Sequence, residues 1–296
     1  MQNIPKPEPD RRKGRGAVTN VSGRFDLARV EQDDGWDIPE ERGVFRTVVS
    51  EERARSLITY NRSPDLPFDR SINPYRGCEH GCVYCFARPT HAYLGLSPGL
   101  DFETRLIARP NAAAVLSDEI RSRRYRVAPI AIGTNTDPYQ PVERDRGITR
   151  ACLSVLQEAR HPVAIVTKGS LIERDLDILG PMAAQGLVRV GISLTTLDPD
   201  LSRRMEPRAP APARRLIMIE RLSAAGVPVR IMTSPMIPGL TDHELERLLT
   251  AGRDAGADTA SWIMLRLPRD WQPLFQGGRG RRRRRPQRPR HPSRRR

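Results

Sequence analysis

"GCEHGCVYC", residues 77–85, holds three of the four cysteines of the chain within nine residues, spaced Cys78-x3-Cys82-x2-Cys85. Three readings of that cluster compete. In the first, the cysteines are small buried hydrophobes. That suits the fourth, Cys152, which lies on the apolar stripe of "DRGITRACLSVLQEAR", 145–160. It does not suit residues 78–85, whose neighbours are Arg, Gly, Glu and His.

The second reading is structural zinc, which takes four tetrahedral ligands, commonly from paired C-x2–4-C units. His80 is the candidate fourth donor, but it sits between Cys78 and Cys82 and crowds a tetrahedron, and no second CxxC or HxxxH follows. The third is an iron–sulfur cluster. Four cysteines close a [4Fe–4S] cube; three leave one iron without a protein ligand, and an open metal position is where a substrate or cofactor binds. On this reading Gly77 and Gly81 let the backbone wrap closely around a bulky inorganic body.

Outward from the cluster, short apolar runs alternate with amphipathic ones. "FDRSINPYRG", 68–77, is a candidate first strand leading into the cysteine loop. Further strands are expected at 129–136, 162–170, 188–196, 228–237 and 259–267. Helices are expected at 110–122, 145–160, 171–185, 212–226 and 241–256, the last with Thr241 as N-cap and Glu244 at the capping-box position. Upstream, "VSEERARSL", 49–57, reads as a short helix. Apolar strands alternating with helices imply right-handed βαβ units and a parallel sheet, either doubly wound or a β/α barrel. In both, ligands bind at the carboxyl ends of the strands. "GTNTDPYQ", "TKGS", "SLTTLD" and "SPMIPG" all follow strands and carry polar, Gly or Pro residues of the kind that build a site.

"CEHGCVYC" resembles the CX3CXφC signature of the radical S-adenosylmethionine (SAM) superfamily, with Tyr84 as the aromatic residue before the third cysteine. The resemblance implies a partial (β/α)6 TIM-type barrel, possible truncation of it after strand six, and a [4Fe–4S] cluster on Cys78, Cys82 and Cys85. It implies SAM chelated to the unique iron and cleaved reductively to a 5′-deoxyadenosyl radical that takes hydrogen from a substrate. It also implies an electron donor of flavodoxin or ferredoxin type. "NPYRGCEHGCVYCFAR", "TNTDPYQPVE" and "TKG" together are similar to the spore photoproduct lyase-like, or DNA-repair photolyase-like, group over residues 68–267.

That likeness carries over candidate SAM contacts. Tyr84 would offer backbone to the adenine. Thr136 and Asp137 stand where other members place a Gly-Gly-Glu motif for the methionine amino group, a motif absent from this chain. Lys168 and Ser193 match positions that hold the carboxylate and ribose side. Spore photoproduct lyases use a cysteine near the end of strand two as hydrogen donor; "IGTNTD" has none, and Cys152 falls on the wrong face of the following helix. The substrate is therefore open, with nucleic acid as one candidate. The competing classes are a metal-stabilised nucleic-acid-binding protein without turnover and a truncated, inactive homologue.

Bulk composition sets the remaining expectations. The chain has 296 residues, 38% of them hydrophobic, and a net charge of +15. The last 20, "GGRGRRRRRPQRPRHPSRRR", hold eleven arginines; without them Lys+Arg falls from 50 to 39 against 35 Asp+Glu, a net of +4. The body is thus only mildly basic, and the charge belongs to the tail. We expect a Pro-rich, basic arm at 1–45, a radical SAM core at 46–276 and an arginine-rich disordered tail at 277–296. That tail reads either as an electrostatic arm for nucleic acid or as a shifted frame in GC-rich coding DNA. With no covering helix in "WQPLFQGG", Trp262, Met264 and Leu267 should leave apolar surface open unless the N-terminal arm or a second chain covers it, with low solubility or self-association and order fading beyond about Phe275. No apolar run approaches the ~18 residues of a membrane span, and the N-terminus lacks a signal-like apolar core. A cytoplasmic location is expected, with no membrane partner.

Overall fold

The computed structural model describes residues 16–17, 46–64 and 66–267. The expectations for the rest of 1–45, for the arginine tail and for order beyond Phe275 lie outside the described residues.

Ten strands are present: β1 Val48–Glu51, β2 Thr59–Tyr60, β3 Arg70–Ile72, β4 Tyr75–Arg76, β5 Arg105–Ala108, β6 Ile130–Ile132, β7 Val163–Thr167, β8 Val188–Ser193, β9 Val229–Met232 and β10 Thr259–Ser261. The main sheet runs β10-β9-β8-β7-β6-β3-β2. Its six strands from β3 to β10 are parallel and spatially consecutive, and only β2 is antiparallel. This is the expected partial (β/α)6 barrel, an arc that stays open between β10 and β2. A second sheet of order β1-β5-β4 flanks it.

Side-chain alternation explains the two faces of the arc. Ile130 and Ile132, Val163 and Ile165, Val190 and Ile192, and Val229 and Ile231 point one way and are at most 3% exposed. They share one core with Leu116, Leu153, Leu156, Leu179, Met182, Met218, Leu222 and Leu248 from the covering helices 112–121, 148–158, 176–184, 212–224 and 245–254. Cys152 belongs to this core and is fully buried, as its place on the apolar stripe predicts. The concave face carries small residues at Ala131, Ala164, Val166 and Gly191, with Met232 packed where a Cβ of Gly191 would stand.

Several elements differ from the sequence reading. Residues 49–57 are not a helix: β1 occupies 48–51, because Val48–Glu51 pairs in parallel with Arg105–Ala108. The helix read at 145–160 is two, Glu143–Arg146 and Ile148–Glu158, divided at Gly147 with φ 62°. Residues 171–185 begin as a 3-10 turn and become α-helical only at Leu176. The capping box at Thr241 and Glu244 does not form. Thr241 Oγ1 instead accepts the Ile237 N–H, and the Glu244 carboxylate accepts Thr196 Oγ1 and the Leu197 N–H. The sixth strand stops at Ser261, after which the chain tracks the segment that follows β9 through a bridge between Met236 and Met264. Trp262 and Met264 are exposed as expected, whereas Leu267 packs on Ala17 and Leu100. No described helix is long and apolar enough to cross a membrane.

Candidate active site at the mouth of the half-barrel

The cysteine loop lies between β4 and a short 3-10 helix, Arg88–Leu94, over the carboxyl ends of the parallel strands. Gly77 has φ 81° and Gly81 φ 67°. A Cβ on either would meet protein, Phe102 O at 2.8 Å for Gly77 and Glu103 Oε2 at 2.8 Å for Gly81. These glycines therefore seat the loop on the residues beneath it, rather than serving only the wrapping expected of them.

Buried polar groups fix the loop from three sides. The fully buried Arg88 guanidinium donates to Cys82 O through Nε at 3.0 Å and Nη2 at 2.9 Å, and to Pro98 O and Gly99 O through Nη1. Its Nη2 also meets Glu103 Oε1 at 2.5 Å. Glu103 then accepts the Gly16 N–H at 2.9 Å and the Ala17 N–H at 2.8 Å, so an N-terminal pair of residues lies against the outside of the loop. On the next side, Gln140 donates to Gly77 O and accepts the Glu79 N–H at 2.9 Å, while Thr136 Oγ1 donates to Gly77 O at 2.5 Å. On the third side, His80 Nδ1 stands 3.2 Å from Asp137 Oδ2. Asp137 also accepts Thr167 Oγ1 at 2.6 Å and the Lys168 N–H at 2.8 Å. Thr136 and Asp137 thus both reach the mouth with their side chains engaged in tying the ends of β6 and β7 to the loop.

Burial raises the Cys78 thiol well above its ordinary value, with Asp137, Cys82 and Cys85 adding to the shift. Burial likewise pushes Cys82 up to about 12, opposed by Lys168 and Arg215. The three thiols therefore sit in one electrostatic neighbourhood, and as thiolates they need a cation. The donor set fits an iron–sulfur cluster: three cysteines on one loop, with a lysine ammonium beside them. Among the described residues, no group of three His, Cys, Asp or Glu is gathered for a single metal ion.

Lys168 and Ser193 follow or end strands at concave-face positions, which is why the structure brings them to the same mouth as the cysteines. The Lys168 ammonium stands 5.8 Å from the centre of the Tyr84 ring. Burial alone would lower it, but Cys82 and Glu206 carry it above its ordinary value. Ser193 is buried, and its Oγ donates to Ser234 O at 3.3 Å. Tyr84 is buried with its hydroxyl hydrogen-bonded to Glu206 and 3.3 Å from Thr195 Oγ1.

Glu206 and Arg215 are residues that the sequence reading missed. Arg215 is ion-paired with Glu206 and donates to Ser193 O at 2.9 Å and Pro210 O at 2.8 Å. Burial would raise the Glu206 carboxyl, but Arg215 and Lys168 bring it down to about 2. A signal was present: Pro212, Arg215, Met218, Ile219 and Leu222 form one buried helix stripe, so an arginine stands where the period calls for an apolar residue. Arg88, Glu103 and Gln140 had no comparable signal, since none stands on an apolar stripe and their partners meet them only through the fold of the loop.

Residues 72–251 match the family model of the radical SAM superfamily. An uncharacterized protein of Mycobacterium tuberculosis is 43% identical over 194 residues, 65% of this chain and 57% of that protein. An uncharacterized protein of Methanocaldococcus jannaschii is 27% identical over 173 residues, 58% of this chain and 62% of that protein. The chain thus spans little more than half the length of these relatives. In fold it resembles a spore photoproduct lyase variant with bound AdoMet and dinucleoside spore photoproduct, with a TM-score of 0.59 at 15% identity over 79% of this chain and 67% of that one.

Proposed function

The chain belongs to the radical SAM superfamily, and from that premise we propose that it is an enzyme whose cysteine loop binds a [4Fe–4S] cluster through Cys78, Cys82 and Cys85. The family's cofactors are that cluster and SAM, which together supply an electron and a 5′-deoxyadenosyl radical for hydrogen abstraction. An external electron donor is part of the same chemistry. The observation that carries the reading is the placement of three thiols on one loop at the carboxyl ends of six parallel strands, with the Lys168 ammonium beside Cys82.

The chain's own residues bind and orient. Lys168 offers its cation to the SAM carboxylate, and Ser193 offers a hydroxyl to the ribose side. Tyr84 lends backbone to the adenine. Thr136 and Asp137 act on the methionine end chiefly by fixing the loop that they already hold. The buried, hydrogen-bonded frame of Arg88, Glu103, Gln140, Thr136 and Asp137 around the cysteine loop would keep water from the site.

Anaerobic reconstitution should give about four irons and four sulfides per chain, and the reduced protein should release 5′-deoxyadenosine from SAM. Alanine at Cys78, Cys82 or Cys85 should abolish both, and Cys152→Ala neither. Zinc in place of iron, with no iron–thiolate absorption, would sink the proposal. For the substrate, nucleic acid is the first class to test, given the dinucleoside held by the fold neighbour. Binding to single- and double-stranded DNA should persist, with a steep salt slope, after removal of residues 277–296.

A further inference from the structure

We infer that Glu206 is a positioning residue for the cofactor end of the mouth, acting through Tyr84 and Lys168. The inference rests on the reading of the cysteine loop as a cluster site. Glu206 is 2% exposed and lies just beyond the carboxyl end of helix 199–205. One carboxylate joins three elements. Oε1 accepts the Tyr84 hydroxyl from the cysteine loop and Thr195 Oγ1, at 3.1 Å, from the loop after β8. Oε2 accepts Arg215 Nη2 from helix 212–224. Arg215 is in turn anchored on Ser193 O, the last residue of β8.

The geometry limits what each partner does. Arg215 is committed to Glu206, Ser193 and Pro210, so it stiffens the pair rather than facing a ligand. Tyr84 is pinned at its hydroxyl, and its ring is the surface over which the Lys168 ammonium stands. Among the described residues Arg215 is ion-paired with Glu206, whereas Lys168 feels that carboxylate without pairing to it. Glu206 thus neutralises Arg215, holds the Tyr84 ring in place and leaves the Lys168 cation available for an anionic group. The group of matching chemistry is the carboxylate of an amino acid, here that of SAM.

Charge-assisted hydrogen bonds are the stronger class, and the tenfold change in affinity expected for losing one corresponds to about 1.4 kcal/mol. The test uses anaerobically reconstituted full-length protein and calorimetric titration with SAM. Glu206→Gln should weaken SAM binding about tenfold or more with four irons retained. Its cluster should also show a raised midpoint potential, because a buried negative charge near Cys82 has been removed. Tyr84→Phe keeps ring and charge, and should weaken binding without moving the potential. The double variant should lose less than the two single losses combined, since Glu206→Gln weakens, by removing the charge, the same hydrogen bond that Tyr84→Phe removes. Wild-type affinity and potential in Glu206→Gln with its cluster intact would overturn the inference and leave the cluster reading standing. If that variant does not fold, Tyr84→Phe decides alone, and wild-type affinity there overturns it. If the wild-type chain assembles no cluster, both readings fall.

Discussion

The sheet and the cysteine loop are held by opposite kinds of force. Between β6 and β9 the structure rests on aliphatic side chains, such as Ile132, Ile165, Val190 and Ile231, packed against helices. Between Gly77 and Cys85 it rests on Arg88, Glu103, Gln140, Thr136 and Asp137, all buried or nearly so and hydrogen-bonded to the loop or to its supports. Apolar burial is non-directional and tolerates repacking. Buried charge is directional, and losing one partner strands the other. The loop therefore has the narrower tolerance, and its failures should be local where those of the sheet are global.

The largest expected effect breaks the comparison at its polar end. Arg88→Met removes the buried Arg88 guanidinium from the Glu103 carboxylate, a loss of about 3–5 kcal/mol. Hydrogen exchange should show protection lost first across residues 77–103, with β6–β8 still protected. Loss of protection in all regions together would mean that loop and sheet form one cooperative unit.

A somewhat smaller loss tests the other region. Leu153→Ala removes a fully buried side chain from the helix–sheet core and should cost ~2–5 kcal/mol through the cavity left behind. Denaturant titration should show one global transition moved to lower concentration. Iron content per folded chain should stay the same; a drop in iron content without a shift of the transition would contradict the division drawn here.

The smallest effect concerns acid. Asp137 and Glu206 are held below the ordinary carboxylate range, Glu206 at about 2, by partners that outweigh burial. A carboxylate depressed in the folded state stabilises the fold fully above its unfolded value, near 4. That stability is lost as pH falls from there toward the native value. Stability measured from pH 6 down to pH 2 should decline more steeply in the wild type than in Glu206→Gln; equal slopes would show that this carboxylate does not couple to folding.

The same division decides what was legible in the sequence. The six parallel strands, their helices and the burial of Cys152 follow from short apolar runs and a 3.6-residue period, both local properties. The cysteine motif is also local, and it located the mouth. β1 and β5 escaped notice, and the single strand read at 68–77 is two, β3 and β4, in different sheets, because these short strands gain their meaning from one another: Val49 pairs with Leu106, and Tyr75 with Ala108. Glu244 fitted a capping box, but Thr196 and Leu197 drew it away. Glu103 meets Arg88 and Gly16 only in the folded chain, and no period in the sequence announces such meetings.

The cover over the cysteine loop has a consequence for the order of assembly. The parallel pairings from β3 to β10 join successive units, so each can form soon after its next strand is synthesised. The packing of Ala17 with Leu100 and Leu267 joins the two ends of the described chain to its middle. Loop-closure entropy grows with the length of chain enclosed, and Leu267 is made only after β10. The Leu267 contact on the outside of the cysteine loop can therefore form only after the sheet beneath it is made, whereas the Gly16 and Ala17 hydrogen bonds to Glu103 need no residue beyond Glu103.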